Sequence, residues 1–463
     1  MDVFLECDIR GVYGSDIDVD FAWKLGRALA ALARGERFIV AGDRRLHTLV
    51  LKASLVEGLV AGGADVADCG QIPTPVYYFA REALGLTAGA MVTASHNPPE
   101  YAGFKPILGP LPITPAEIRR IRKTIRSLPR ASRRKGHVSH HRPLRGYRQH
   151  LGRLFAPRLP SDSGLRIVVD SGNGCFGPIA QSVLESFGFV VHPLFSRPDG
   201  RFPNRPSDVA KEAGRLPAMA AVAASGADFG VAYDGDGDRV AFVDNRGRSV
   251  PNDALIALLA RHILQGAPGA KAVYDIKCSR VVPEAIRAVG CVPLAQRSGH
   301  TFIKTTMLQE DALFGGEVSG HLFYRELCGG DDALYSTLLM ASVLIESGTD
   351  LATLVDRIPR YCTTPDIRLH VRGGRKAMVA AVRAHLVERS DCTLTEVDGV
   401  RAEFAEGWGL IRVSVTEPAV TLRFEAVEPE HLAGVIDRFL DPLPELRTRV
   451  FAQVEPGRPD ARE

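Results

Sequence analysis

Short apolar runs rich in β-branched residues recur along this chain, separated by longer segments with helical spacing. Phe38-Ile39-Val40-Ala41 reads as a strand, residues 51–59 as a helix, Gly63-Ala64-Asp65-Val66 as a second strand and Gly89-Ala90-Met91-Val92 as a third. The same order returns in Arg166-Ile167-Val168-Val169, residues 179–184, 188–191 and Phe229-Gly230-Val231-Ala232-Tyr233. A third pass runs through residues 272–275, 283–287, 290–293 and Ala312-Leu313-Phe314. Strands alternating with helices predict α/β layers, so three similar α/β domains with mixed or parallel sheets are expected. The remainder changes character: helical residues 378–382 and 432–436 flank strands with period-two alternation at 409–415 and 420–425. That pattern predicts a smaller C-terminal α+β domain with an antiparallel sheet. The expected boundaries are 1–152, 153–252, 253–362 and 363–463, with 359–365 as the last linker.

The three equivalent third strands end in polar loops of different chemistry. The first is Thr93-Ala94-Ser95-His96-Asn97-Pro98, the second Asp234-Gly235-Asp236-Gly237-Asp238-Arg239, the third Gly315-Gly316-Glu317-Val318-Ser319-Gly320-His321. Ligands in open α/β sheets sit outside the carboxyl ends of strands, so domains packed around one cleft would bring all three loops together. The prolines after Ser95 argue against a helix there and leave its hydroxyl in a tight loop, and Lys105 offers a cation for a nearby phosphate. Asp234, Asp236 and Asp238 repel one another unless a cation sits among them, and an all-oxygen set favours Mg2+. A calcium EF-hand loop is excluded, because Arg239 and Asn245 stand where it needs Gly and Glu. Glu317, Ser319 and His321 together suit sugar hydroxyls. Arg412, Ser414 and Thr416 alternate with Ile411, Val413 and Val415, so a guanidinium fork and two hydroxyls share one face, as a phosphate dianion requires. Gly172-Asn173-Gly174-Cys175-Phe176-Gly177 follows a strand, but no acidic residue stands at the next strand end; it is read as a tight turn rather than a dinucleotide site.

Composition narrows the setting. A formal charge of +3 over 463 residues gives no general pull toward polyanions. Eight scattered cysteines without a Cys-x-x-Cys pair suit free thiols in a reducing compartment. No basic-then-apolar leader and no membrane-length apolar run is visible, so a cytoplasmic protein is expected. Residues 119–148 are rich in Arg and Lys with no acidic residue, yet nearly lack aromatics, and are read as a solvated face rather than a nucleic-acid surface.

Taken in order, Thr-Ala-Ser-His-Asn-Pro, Asp-Gly-Asp-Gly-Asp-Arg, Gly-Glu-x-Ser-Gly-His and Arg-x-Ser-x-Thr-x-Pro resemble the motifs of the α-D-phosphohexomutase superfamily, and its bacterial phosphomannomutase/phosphoglucomutase branch above all. Asp8-Ile9-Arg10-Gly11 and residues 398–426 extend the resemblance over nearly the whole chain. It implies four domains around a central cleft, Ser95 carried as phosphoserine, and Mg2+ held by Asp234, Asp236, Asp238 and the serine phosphate. It assigns Glu317 and Ser319 to sugar hydroxyls, and Arg412, Ser414 and Thr416 to the phosphate that is not transferred. Arg10, Lys105, Lys277, His300 and His321 match active-site positions, with Arg239 offsetting charge on the transferring group. The implied reaction interconverts hexose 1-phosphate and hexose 6-phosphate, of mannose or glucose, through a hexose 1,6-bisphosphate. Partners would be small sugar phosphates, with neither nucleic acid nor membrane, in a monomer or dimer. Glucosamine phosphate is the rival sugar, and a silent sugar-phosphate binding protein the rival outside catalysis. Val318, Val415 and His47 depart from the family pattern without removing a reacting group.

Overall fold

A computed structural model describes residues 2–130, 132–160, 162–371, 373–414 and 418–454. Four sheets organise them. The first runs in the order Ile9–Val12, Tyr101–Leu108, Ala88–Val92, Phe38–Gly42, Val66–Gln71, Val138–His140. Its middle strands Phe38–Gly42 and Ala88–Val92 are parallel and buried at every position, as continuous apolar runs between two helical layers should be. The second sheet, Val240–Asp244, Phe229–Tyr233, Arg166–Asp170, Val190–Leu194, and the third, Val292–Gln296, Lys271–Asp275, Phe314–Gly316, Leu322–Tyr324, Gly330–Asp331, repeat that plan. The α/β expectation for these regions holds.

The repeat has a feature that strand periodicity alone did not reveal. Each third strand turns back into an antiparallel neighbour: Ala88–Val92 pairs with Tyr101–Leu108, Phe229–Tyr233 with Val240–Asp244, and Phe314–Gly316 with Leu322–Tyr324. The three polar loops are therefore the same connection in three sheets.

Second strands begin later than the apolar pattern suggested, at Val66, Val190 and Val292. The glycines taken as their first residues, Gly63, Gly188 and Gly290, have φ of +89°, +80° and +75° and form the turns that precede them. Conversely Gly315 and Gly316 lie within a strand rather than in the loop. A Cβ on Gly315 would come within 2.5 Å of Met307 Sδ and one on Gly316 within 2.6 Å of Ile256 Cγ2, so either would force the side chains packed on the strand to shift.

The last sheet is antiparallel, as expected, in the order Cys362–Thr363, Ala419–Ala426, Gly407–Val413, Val400–Glu403, Thr393–Thr395, with Ile367–His370 also pairing to Ala419–Ala426. Helices Arg375–Val387 and Leu432–Leu440 supply its apolar layer through Val382, Leu386, Val435, Ile436 and Phe439. The stretch 359–365, read as a linker, carries the short strand Cys362–Thr363 that joins this sheet. The last sheet is fastened to the third. Buried Arg401 donates through Nη1 to the carbonyls of Ile276 (2.5 Å) and Cys278 (2.6 Å), and its guanidinium lies 3.7 Å above the Trp408 ring. Ile276, Trp408 and Leu410 close a small apolar cluster around that contact.

Candidate active site

Ser95 follows the buried strand Ala88–Val92 and adopts φ of +50°, a left-handed conformation that costs a non-glycine residue of order 1 kcal/mol or more. Several bonds hold it there. Its N–H donates to Thr93 Oγ1 at 2.8 Å. Arg45 donates to four carbonyls of the loop: Ser95 at 2.7 Å, Pro98 at 2.7 Å, Tyr101 at 3.3 Å, and Asn97. Arg45 is itself buried against Asp43 (3.3 Å) and stacks over the Phe202 ring at 5.0 Å. From the second sheet's side, Ser207 Oγ donates to the carbonyl of His96 at 2.9 Å. The strained serine is thus pinned by two domains.

Its hydroxyl reaches the aspartate turn. Ser95 Oγ donates to Asp234 Oδ2 at 3.1 Å, although 139 residues separate them. Asp234, Asp236 and Asp238 are all buried, each with a carboxylate oxygen within 4.8 Å of the others. Asp234 Oδ1 accepts the backbone N–H groups of Gly237 and Arg239. Thr74 Oγ1 donates to Asp236 Oδ2 at 2.7 Å. Lys105 Nζ bridges Asp236 (2.8 Å) and Asp238 (2.5 Å). Asp236 Oδ1 and Asp238 Oδ1 remain buried without a hydrogen-bond partner. Orphaned, buried carboxylate oxygens within so tight a cluster are what a divalent cation would satisfy, so the residues present fit a hard metal ion.

The charges follow from this crowding. Burial and the neighbouring Asp238 and Asp236 raise the Asp234 carboxyl well above the usual carboxylate range. Burial works against ionisation of Asp238 as well, but the adjacent Lys105 ammonium outweighs it and holds the group charged. Lys105 is in turn kept protonated against its burial by Asp236 and Asp238.

The glycine-rich turn after Asp170 backs this loop, as its reading as a tight turn requires. A Cβ on Gly174 would stand 2.8 Å from the carbonyl oxygen of Gly235, and Cys175 N–H donates to that same oxygen at 3.0 Å. Arg205, buried and paired with Asp170 at 2.8 Å, donates to the carbonyl of Tyr233, the residue before the aspartates.

Arg239 and His321 join the second loop to the third. Arg239 Nε donates to His321 Nε2 at 2.8 Å, so the imidazole carries its proton on Nδ1 and donates it to Asp331 at 2.6 Å. With both ring nitrogens engaged and 2% exposure, His321 stands behind Arg239 rather than open to a sugar. His300 opens the helix His300–Glu310 and stacks on His321 with ring centroids 5.7 Å apart. Burial, with the charge of Lys105 nearby, keeps the His300 imidazole neutral. Glu317 accepts from Ser319 Oγ at 2.7 Å and from the N–H of Gly299 at 3.2 Å. Arg10 donates to Asp8 (2.7 Å) and to Asn97 Oδ1 (2.5 Å) of the serine loop.

The other expected residues lie toward the last sheet, with Lys277 close enough to Glu317 for its charge to favour that carboxylate. Lys277 pairs with Asp366 at 3.2 Å, across the join between the third and last sheets. Arg412 pairs with Asp398, and Ser414 lies just past the end of the strand Gly407–Val413. Thr416 lies outside the described residues, as does Val415. Of the departures, His47 stacks flat on Tyr13 at 3.9 Å, and the Val318 carbonyl accepts from Asn252.

Models of all four phosphoglucomutase/phosphomannomutase domains match the chain: α/β/α domain I over residues 1–131, domain II over 145–247, domain III over 251–361 and the C-terminal domain over 367–441. The chain belongs to the phosphoglucomutase/phosphomannomutase family. Members of this family need a metal ion, in keeping with the acidic cluster. Similar to this chain are a phosphomannomutase/phosphoglucomutase of Pseudomonas aeruginosa, 36% identical over 94% of this chain and 93% of that protein, and a phosphoglucomutase of Neisseria gonorrhoeae, 32% identical over 95% and 96%. A phosphoglucomutase/phosphomannomutase family protein of Burkholderia thailandensis superposes with a TM-score of 0.88 at 33% identity, covering 96% of this chain and 97% of that one. Among the described residues no helix is long and apolar enough to cross a membrane.

Sequence reading missed Arg45, Thr74, Arg205, Ser207 and Asp331. Arg45 carried a signal: an Asp and an Arg two residues apart, at the carboxyl end of the buried strand Phe38–Gly42. Arg45→Met is expected to lower kcat by about 100-fold with a smaller change in KM, because loosening the four carbonyls frees Ser95 from its productive position. Leaving Asp43 unpaired should also cost roughly 3 kcal/mol of stability, measurable by denaturant unfolding. Arg45→Lys restores the charge but not the fork, so it should recover stability more than turnover.

Proposed function

We propose that this chain is a phosphohexomutase acting on mannose and glucose phosphates, interconverting the 1- and 6-phosphates through a phosphorylated Ser95. The observation that carries the reading is the 3.1 Å contact between Ser95 Oγ and Asp234, which brings a candidate nucleophile and an acidic metal cluster from separate sheets to one point. Phosphoryl transfer needs positioning and charge neutralisation above all, and this site offers both.

In the proposed step the bond from phosphorus to Ser95 Oγ breaks as a bond forms to the free hydroxyl of a hexose monophosphate. The hydroxyl proton passes to a base, and the serine is left as its oxygen anion until protonated. The product is a hexose 1,6-bisphosphate, which turns end over end and returns its other phosphate to Ser95. His300 suits the base, since its burial leaves it neutral; Lys105, held as an ammonium, suits charge neutralisation instead. Arg239, aligned by His321 and Asp331, would offset charge on the transferring oxygens. Asp234, Asp236, Asp238 and the serine phosphate would hold Mg2+, which supplies electrostatic stabilisation of the phosphoryl oxygens. Glu317 and Ser319 would bind sugar hydroxyls, with Lys277 beside them. Arg10 would steady both the serine loop and the incoming phosphate.

Arg412, with Ser414 and Thr416, is proposed to hold the phosphate that is not being transferred. Because either end of the sugar must dock there, Arg412→Ala should raise KM for the 1- and 6-phosphates alike, by about 10- to 100-fold, from the loss of charge-assisted hydrogen bonds. An increase confined to one of the two substrates would contradict a shared site. Coupled assays with mannose, glucose and glucosamine 1-phosphates test the reading as a whole: turnover of the first two supports it, dominance of the third moves it to the rival sugar, and turnover of none rejects it. A cytoplasmic setting fits the free thiols.

A further inference from the structure

On the first sheet's side opposite Ser95, helices Val19–Leu32 and Thr48–Ala61 both end beside a polar pocket of about 420 Å³. Its lining includes Arg27, Arg34, Arg130 and Arg134, with Ala30 and Pro129 among the smaller residues between them, and no acidic side chain. Part of this surface comes from the basic stretch that the mutase reading leaves without a task.

The bland explanation is that these arginines neutralise the carbonyl ends of the two helices. Only Arg134 fills that role, at the carbonyl of Gly63 just past the second helix. Arg27 Nη2 donates to the carbonyl of Pro129 at 2.9 Å, and Arg134 spans the carbonyl of Gly63 and the carboxylate of Asp65, both at 2.6 Å. Arg34 and Arg130 have no hydrogen-bond or ion-pair partner among the described residues. Arg27 is buried to 6% exposure, yet its Nε has no acceptor. Two helix ends together offer about one negative charge and Asp65 offers another, against four guanidinium groups. The pocket keeps an excess of roughly two positive charges and an unused buried donor.

We propose that this pocket is a second ligand site, which binds a small molecule bearing a diphosphate group. The planar donors of Arg27, Arg34 and Arg130 match paired phosphate oxygens, and the cavity is larger than orthophosphate needs. Inorganic diphosphate and a nucleoside diphosphate share this chemistry; the small apolar residues of the lining leave room for the larger one.

Trp23 supplies a local reporter, since the Arg27 guanidinium lies 5.3 Å over its ring and the other tryptophan, Trp408, is buried in the last sheet. The full chain would be titrated with diphosphate, with ADP and with orthophosphate, in chelator and with saturating glucose 1-phosphate. Tryptophan fluorescence and calorimetry would be read together. Diphosphate or ADP should bind about tenfold or more tightly than orthophosphate, with a fluorescence change absent in Trp23→Phe. The tighter of the two identifies the source of the group. Arg34→Glu/Arg130→Glu should weaken binding by about tenfold or more while mutase turnover without ligand stays unchanged, and Arg130→Ala should act in the same direction if the double variant melts early. Equal affinity in the charge-reversed variant, no binding at millimolar ligand, or no preference over orthophosphate would overturn the proposal. So would a short oligonucleotide without a diphosphate that binds more tightly as it lengthens, which would mark a polymer-binding face. The Arg34→Glu/Arg130→Glu comparison separates this pocket from the cleft whichever sugar the cleft accepts.

Discussion

Ser95→Ala is expected to leave a folded protein whose mutase turnover falls by about 10⁴-fold or more, the scale on which removal of an attacking side chain acts. The fold should survive because the substitution deletes only the hydroxyl's contacts to Asp234 and, at 3.5 Å, to His96 Nδ1, while the Thr93 and Arg45 bonds to the backbone of the loop remain. Burial of Asp234 beside two further carboxylates already disfavours its charge, so losing one donor adds a small penalty. The thermal midpoint should therefore move by a few degrees at most. Two measurements decide the matter: a coupled mutase assay, and mass spectrometry of the purified protein for phosphate at residue 95. Wild-type turnover in Ser95→Ala would rule out transfer through this hydroxyl. An inactive variant with an unshifted midpoint separates chemistry from stability.

The second large effect concerns the divalent cation. Chelation should silence turnover, by about 10³-fold or more, and added Mg2+ should restore it, since the electrostatic help a metal gives to a phosphoryl group amounts to several kcal/mol. Asp238→Asn sharpens the test. It removes one of the two carboxylates paired with Lys105 and alters one of the two orphaned oxygens, while Asp236 keeps its bonds to Lys105 and Thr74. The variant should stay folded, need far more Mg2+ for half-maximal activity and reach a lower ceiling. Full activity in chelator would remove the three carboxylates from the proposed chemistry.

Local signals carried much of this picture. The apolar strands and the abrupt polar loops after them are written in consecutive residues, so the α/β layers and the loops bearing Ser95, Asp234 and Glu317 were legible directly. Strand starts at Val66, Val190 and Val292 were read early because a glycine before a β-branched residue looks like part of the strand, and its positive φ shows only in three dimensions. The partners of the reactive groups were harder to see. Arg45, Thr74, Arg205 and Asp331 act through backbone carbonyls or through another side chain, and no spacing rule links them to residues up to 162 positions away, as between Thr74 and Asp236. His321 illustrates the same gap: its motif placed it near the sugar, whereas the structure commits both its nitrogens to Arg239 and Asp331.

The Arg401 clamp on residues 276–278 bears on how a substrate could tumble without escaping. Lys277 sits in the clamped segment, and its ammonium already reaches Asp366 in the chain leading to the last sheet. Two cross-sheet contacts at residues 276–278 therefore tie the position of the last sheet, and with it Arg412, to the segment that bears Lys277.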